Sequence, residues 1–402
     1  AERVGILPGY SAVDGRWHET PDATREAILH ALGFDVADAA AAARSLEALD
    51  AMRAARLVAP ACVTPLRDPG APHPDGAAIV AWMPEARGRA VTWSLRLVLE
   101  SGAVRETGGR ATVGDDGLAR VPLPPGTPFG YHRVALTVDA GDGRVREGAQ
   151  ALAIVPDACP SPAQVLGGAR VAGLTVNLYT VRSRRAWGAG DFGDLATLVD
   201  VAAERGLAFV GCNPLHALRN ADGDVSPYSP VSRQFRNVLY LDVERLPELV
   251  DAPEARARLG DAALAERLAA LRGATHVDYE GVLAAKRPVL EALHRAASAL
   301  PASDVRRVAY RRFLEREGEA LDRFATFVAL DEHFRPQGCG WWREWPAAYR
   351  DPRSADVAAF AAAHAERVDF HRWCQFALDR QLADVAARAR AGGLALGLYQ
   401  DL

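Results

Sequence analysis

The chain has 402 residues, 49% of them hydrophobic and 24% charged, with a formal net charge of −4; this length asks for two or three globular domains. The acidic balance argues against nucleic acid or an anionic membrane as main partner. No apolar run reaches the roughly 18 residues of a membrane span, and the start Ala1-Glu2-Arg3-Val4 lacks a signal-peptide core.

Residues 1–59 read as helical. Thr20-Pro21-Asp22 predicts a helix start, Gly33 a stop, and Ile28, Leu29 and Leu32 one apolar face; a second helix is expected over 36–59. From Pro60 the pattern alternates, with strands expected at 78–83, 92–100, 112–113, 130–138 and 150–155. Turn signals such as Gly114-Asp115-Asp116-Gly117 and Ala140-Gly141-Asp142-Gly143 separate them. Residues 60–156 therefore predict an antiparallel β-sandwich. Trp82, Trp93 and Tyr131 are candidate sugar-stacking rings there, although filling the sandwich core is the favoured reading for all three.

Residues 157–170 read as a linker rich in proline and glycine. Residues 171–402 are then α/β. A strand at 174–179, a helix at 194–205 and an apolar strand at 207–212 make one βαβ unit. A mostly helical insertion spans 247–350, with helices expected at 252–271, 279–300 and 307–330. An amphipathic helix at 370–390 leads to a third apolar strand at 394–399.

Chemistry-bearing patterns are few. Gly188-Ala189-Gly190-Asp191-Phe192-Gly193 matches GxGxxG. But residues 180–187 separate it from the strand, and Cys212-Asn213-Pro214 stands where a ribose-binding acid belongs. The glycines are better read as shaping a long loop, with Asp191 in it and Asp194 as the helix cap. Cys212 with His216, or His364 with His371, falls short of a zinc ligand set, so no metal and no cofactor is expected. The five cysteines, Cys62, Cys159, Cys212, Cys339 and Cys374, are odd in number and scattered, which predicts a reduced, cytoplasmic protein. Lys286 is the only lysine beside 46 arginines; the bias reads as base composition rather than as a site.

The sharpest segment is Asn213-Pro214-Leu215-His216, followed by Ser226-Pro227-Tyr228-Ser229-Pro230 and Asn237-Val238-Leu239-Tyr240-Leu241-Asp242. It follows a parallel strand, and the prolines flanking Tyr228 restrict the backbone that presents its ring. On the residues alone, a structural loop with a buried tyrosine is the favoured reading.

Together with Asn177-Leu178-Tyr179-Thr180-Val181-Arg182, Trp187 to Leu195, Trp341 to Tyr349 and Leu398-Tyr399-Gln400-Asp401-Leu402, these stretches resemble the N-terminal part of the bacterial 4-α-glucanotransferases (amylomaltases, or disproportionating enzymes, of glycoside hydrolase family 77). Residues 60–156 resemble the extra β-sandwich of the longer members. The resemblance implies a (β/α)8 TIM-type barrel, of which residues 171–402 hold the first three strands and the insertion. It also implies retaining transfer between α-1,4-glucans, with maltooligosaccharide donor and acceptor and no cofactor. It places Ser226 and Tyr228 on the donor side of the cleft and Asp401 at the end of the third barrel strand, near the reacting sugar. The nucleophilic Asp, the acid/base Glu and a second Asp belong to the fourth, fifth and seventh strands. They are expected beyond Leu402, so no catalytic carboxylate is assigned here and residues 1–402 alone are expected to be inactive. Two other readings stay open: a non-catalytic α-glucan-binding or scaffold module, and a nucleotide-dependent sugar enzyme.

Overall fold

A computed structural model describes residues 1–66, 77–141, 143 and 145–401. Asp142 of the expected 140–143 turn, and Leu402, lie outside the described residues. The chain divides into two compact units, Ala1–Ser161 and Pro162–Leu402.

The first unit opens with a hairpin that the sequence reading did not anticipate, β1 (Gly9–Ser11) against β2 (Trp17–Glu19). Helices α1 (Asp22–Ala31) and α2 (Ala39–Ala54) follow. The second is shorter than 36–59 because Asp38 starts it, its carboxylate accepting from the Ala41 N–H at 2.7 Å. Among the described residues seven strands make the sandwich: β3 (Ala61–Leu66), β4 (Ala78–Trp82), β5 (Ala90–Val98), β6 (Val104–Thr112), β7 (Leu118–Pro122), β8 (Gly130–Asp139) and β9 (Val145–Pro156). One sheet has the order β3-β9-β8-β5-β6 and the other pairs β4 with β7. Alternate residues point into one core, among them Val91, Leu95 and Leu97 from β5, Val134, Leu136 and Val138 from β8, and Ile79 and Val121 from the smaller sheet.

Three expectations need correction. The sandwich is not wholly antiparallel, since β3 runs parallel to β9. The strand expected at 112–113 is the end of nine-residue β6, whose Gly108-Gly109 pair hides it. The pair is needed because a Cβ on Gly109 would stand 2.8 Å from the Trp93 ring. Trp93 does fill the core, at 7% exposed, but Tyr131 is 74% exposed and fills nothing.

In the second unit a short helix, α3 (Pro162–Val165), lies within the expected linker. Three parallel strands, β10 (Leu174–Val176), β11 (Phe209–Cys212) and, at the end of the unit, a strand at Gly397–Gln400, form a sheet with β11 central. Helix α4 (Phe192–Glu204) connects the first two. Between Cys212 and the last strand lie a small antiparallel pair, β12 (His216–Ala217) with β13 (Ser232–Arg236), and six helices. These are α5 (Pro253–Leu259), α6 (Ala262–Gly273), α7 (Tyr279–Ala299), α8 (Val305–Phe334), α9 (Ala355–Ala363) and α10 (Ala365–Ala391). The last strand is then β14. The helix expected at 252–271 is two, because Asp261 starts a new one by capping Ala263 N–H at 2.9 Å. Helix α8 is broken at Gly318, which sits at φ 56°, ψ −142°. Leu178, Leu195, Val199, Val210, Leu293, Trp373 and Leu378 belong to one continuous core joining the sheet to its helices.

Candidate functional site

The register pairs Val176 with Cys212 and Cys212 with Gln400, so Asn177, Asn213 and Asp401 stand together at the carboxyl ends of the three strands. Ligands of α/β sheets bind at that end. Hydrogen bonds carry the sheet one residue further: Asn213 N–H donates to Val176 O at 3.2 Å and Asp401 N–H to Cys212 O at 3.3 Å. Buried Asn213 ties the loops down. Its Oδ1 accepts from Leu178 N–H at 2.7 Å and its Nδ2 donates to Pro214 O at 2.8 Å and Tyr240 Oη at 3.2 Å.

Asp401 is exposed and electrostatically linked to buried His216, whose Nε2 has no hydrogen-bond partner among the described residues. Burial lowers the His216 pKa from its usual value. Arg233 and Arg236 push the same way, and Asp401 opposes them. The net direction favours the neutral form of the imidazole.

The 218–231 loop is anchored at its base by a reciprocal amide pair. Asn220 Nδ2 donates to Asn237 Oδ1 at 2.9 Å, and Asn237 Nδ2 returns to Asn220 Oδ1 at 3.0 Å. Both are buried, and Asn220 takes a left-handed φ of 53° that asparagine tolerates. At the tip, Tyr228 N–H donates to Ser226 Oγ at 3.3 Å and Ser229 N–H to Ser226 O at 3.1 Å. Tyr228 is 69% exposed, which rejects the buried-tyrosine reading and leaves its ring free to stack. Ser226 and Tyr228 share no hydrogen bond or ion pair with Asp401 among the described residues; β12 and β13 connect them to it.

The glycine-rich stretch serves packing. A Cβ on Gly190 would collide with Leu178 O, and one on Gly193 with Asp242 and Arg185. Asp191, not Asp194, is the cap of α4, accepting from Gly193 N–H at 2.9 Å and Asp194 N–H at 3.2 Å. Asp194 closes the capping box from the third helical position. Of the candidate metal pairs, His364 and His371 are absorbed locally: His371 Nε2 lies 3.1 Å from Glu332, and His364 packs on Phe360.

Beneath the site lies a charge cluster that sequence reasoning missed. Arg185 pairs with Asp242 at 2.6 Å and with Asp191 and Asp194 at 3.5 Å each. Fully buried Lys286 donates to Leu239 O at 2.7 Å and Leu241 O at 2.6 Å, with Asp191 3.9 Å away. Gln375 and Gln381 of α10 each clamp one backbone unit from both sides, at Arg236 and Asp242. Burial lifts Asp191 to about 6, partly offset by Lys286. A carboxyl raised on folding adds stability fully present below about pH 4 and lost as pH rises through 6, here about 3 kcal/mol. Asp191→Asn keeps the cap and removes the proton. Urea melts from pH 4 to 7 are expected to show a flatter dependence of stability on pH in the variant. An unchanged slope would place the titration elsewhere.

Similarity to known proteins converges on one family. Residues 176–402 match the model of the glycoside hydrolase 77 family, described as 4-alpha-glucanotransferase. A 4-alpha-glucanotransferase of Mycobacterium tuberculosis is 41% identical over 298 residues, covering 71% of this chain and 38% of that protein. One of Haemophilus influenzae is 33% identical over 293 residues, covering 71% and 41%. The crystal structure of amylomaltase from Corynebacterium glutamicum superposes with a TM-score of 0.71 at 26% identity, over 99% of this chain and 53% of that one. The chain thus spans about two fifths of the length of these curated relatives. It belongs to the 4-alpha-glucanotransferase family.

Proposed function

We propose that this chain forms the substrate-lining part of a retaining transferase that moves α-1,4-glucan segments between maltooligosaccharides. In this reading β10, β11 and β14 are the first three strands of a (β/α)8 barrel. The observation that carries it is the grouping of Asn177, Asn213 and Asp401 at the carboxyl ends of parallel strands, where such barrels keep their chemistry. Tyr228 and Ser226 line the donor side, the tyrosine stacking on the apolar face of a sugar, and Asp401 accepts hydroxyl hydrogen bonds from the reacting ring.

In the double displacement a carboxylate attacks the anomeric carbon while a carboxylic acid protonates the departing oxygen. The acceptor's 4-hydroxyl then attacks the same carbon, returns its proton to the acid/base group and releases the nucleophile. The family resemblance assigns both carboxylates to barrel strands later than the first three, so this reading gives neither role to an acid of this chain. Asp191 and Asp194 are committed to the α4 cap and Arg185. What these residues do is bind and orient.

The full-length protein is expected to convert maltotriose to glucose and longer chains, whereas residues 1–402 alone bind maltooligosaccharide without transferring it. Tyr228→Ala is expected to weaken maltoheptaose binding about tenfold, or about 1.4 kcal/mol. Chromatography of products and calorimetry check both; glucose without longer chains would make the protein a hydrolase. A second reading, a glucan-binding module, is favoured by exposed Phe129 and Tyr131 on the sandwich. It is supported if Tyr131→Ala, rather than Tyr228→Ala, abolishes binding.

A further inference from the structure

We propose that the groove between α8, β13 and residues 342–361 is a second binding site, for a stretch of neutral α-1,4-glucan remote from the strand ends. The proposal rests on the reading of the chain as glucan-acting. The groove holds about 670 Å³, within the range of small-molecule sites. Phe235 and Phe324 stack at 4.5 Å along it, and the half-buried rings of Trp342 and Tyr349 line it too. Flat apolar faces suit the C–H faces of a pyranose.

A polar requirement accompanies them. Trp345 is 2% exposed and wedged between Phe327 and Phe334, at 5.2 and 5.7 Å. Trp345 lines the groove, and its indole N–H is buried without an acceptor among the described residues. A buried donor left unpaired costs about 1–3 kcal/mol, so the groove asks for an oxygen, which a sugar hydroxyl or ring oxygen provides.

Charge then selects among ligands. Arg323 is paired with Glu319, Asp322 with Arg372, and Arg353 with Asp351, while Arg350 spends its Nε on Trp345 O at 2.7 Å. Compensated charges of both signs favour a neutral polyhydroxyl chain over an anion. Continuity favours a long one. Ser232 and Gln234 of β13 line the groove, and Arg236 at the end of that strand pairs with His216. Gln234 is the sixth residue after Tyr228, at most about 20 Å of backbone away. A glucan held at both places gains the effective concentration of a tethered ligand.

The test labels the full-length chain with 5-fluorotryptophan and follows ¹⁹F resonances during titration with maltoheptaose. Trp345→Phe assigns one signal and removes the indole N–H together with the second fused ring, keeping one aromatic ring between Phe327 and Phe334. Maltoheptaose is expected to shift the Trp342 and Trp345 signals, and to do so still in Tyr228→Ala. Trp342→Ala and Trp345→Phe are expected to raise the maltoheptaose KM about tenfold and leave maltotriose turnover unchanged. The proposal falls if neither signal moves when maltoheptaose saturates the Tyr228 site. It falls equally if the shifts vanish in Tyr228→Ala, or if they follow protein concentration, which would assign the groove to a second copy. Failure of maltotriose to yield longer chains would overturn the transferase reading instead, and leaves the fluorine shifts intact.

Discussion

Lys286→Ala is expected to destabilise the second unit by about 3–5 kcal/mol, read as a lower urea midpoint at pH 7 with an unchanged slope. Lys286 is 0% exposed on α7, and its ammonium satisfies Leu239 O and Leu241 O while facing Asp191. Alanine leaves two buried carbonyls unpaired, a buried carboxylate with Arg185 but without the second of its two cations, and a cavity where the stem lay. Lys286→Arg is expected to fail as well, by about 2 kcal/mol. A planar guanidinium is larger than the space between two carbonyls that a compact ammonium fills. The effect reaches the site, because Lys286 fixes residues 239–241 and Asn237, two residues earlier, pins the Tyr228 loop through Asn220. Maltoheptaose affinity should therefore fall with stability. A loss under 1 kcal/mol for alanine would mean that the Leu239–Leu241 turn is held by its apolar neighbours alone.

Lys286 also marks where sequence reading stops. In a chain whose other 46 cations are arginine, a single lysine looks like residual composition. Its meaning lies in burial against carbonyls some 45 positions away, which no local pattern announces. The elements with strong periodicity were readable, β11 as an unbroken apolar run and α10 as an amphipathic helix, whereas the residues around Tyr228 favoured a buried ring and the structure exposes it. The β1–β2 hairpin was not, because only Gly9 in its two strands is buried and alternation has nothing to alternate between. Nor was the parallel β3–β9 pairing, which joins residues 90 apart. Asp191 and Asp194 exchanged roles because a capping box sets two acids three residues apart, and either reads as the cap. At the candidate site the residue types were visible. What the sequence lacked was register, and register is what puts Asp401 beside Cys212 and within the field of His216.

Asp401→Asn in the full-length protein is expected to lower the turnover of glucan transfer by about 10²–10³, with stability changed by no more than about 0.5 kcal/mol. The asymmetry follows from where the residue stands. Its N–H continues the sheet to Cys212 O at 3.3 Å, and asparagine keeps that bond. Its side chain is exposed and takes part in no ion pair among the described residues, so the fold asks little of the charge. A reacting sugar asks more. A carboxylate accepts hydroxyl hydrogen bonds about twice as strongly as an amide oxygen does, and hydroxyls of a ring that gains positive charge donate more strongly in the transition state than in the ground state. The loss should therefore fall on kcat more than on KM. A second readout does not depend on turnover. Asp401 is the carboxylate that opposes burial, Arg233 and Arg236 at His216, so its neutralisation is expected to move the His216 titration, followed by proton NMR of the ring, to lower pH. Unchanged transfer with a shifted His216 would make Asp401 an electrostatic neighbour of the histidine rather than a substrate ligand. Unchanged transfer with an unmoved histidine would remove the residue from the site.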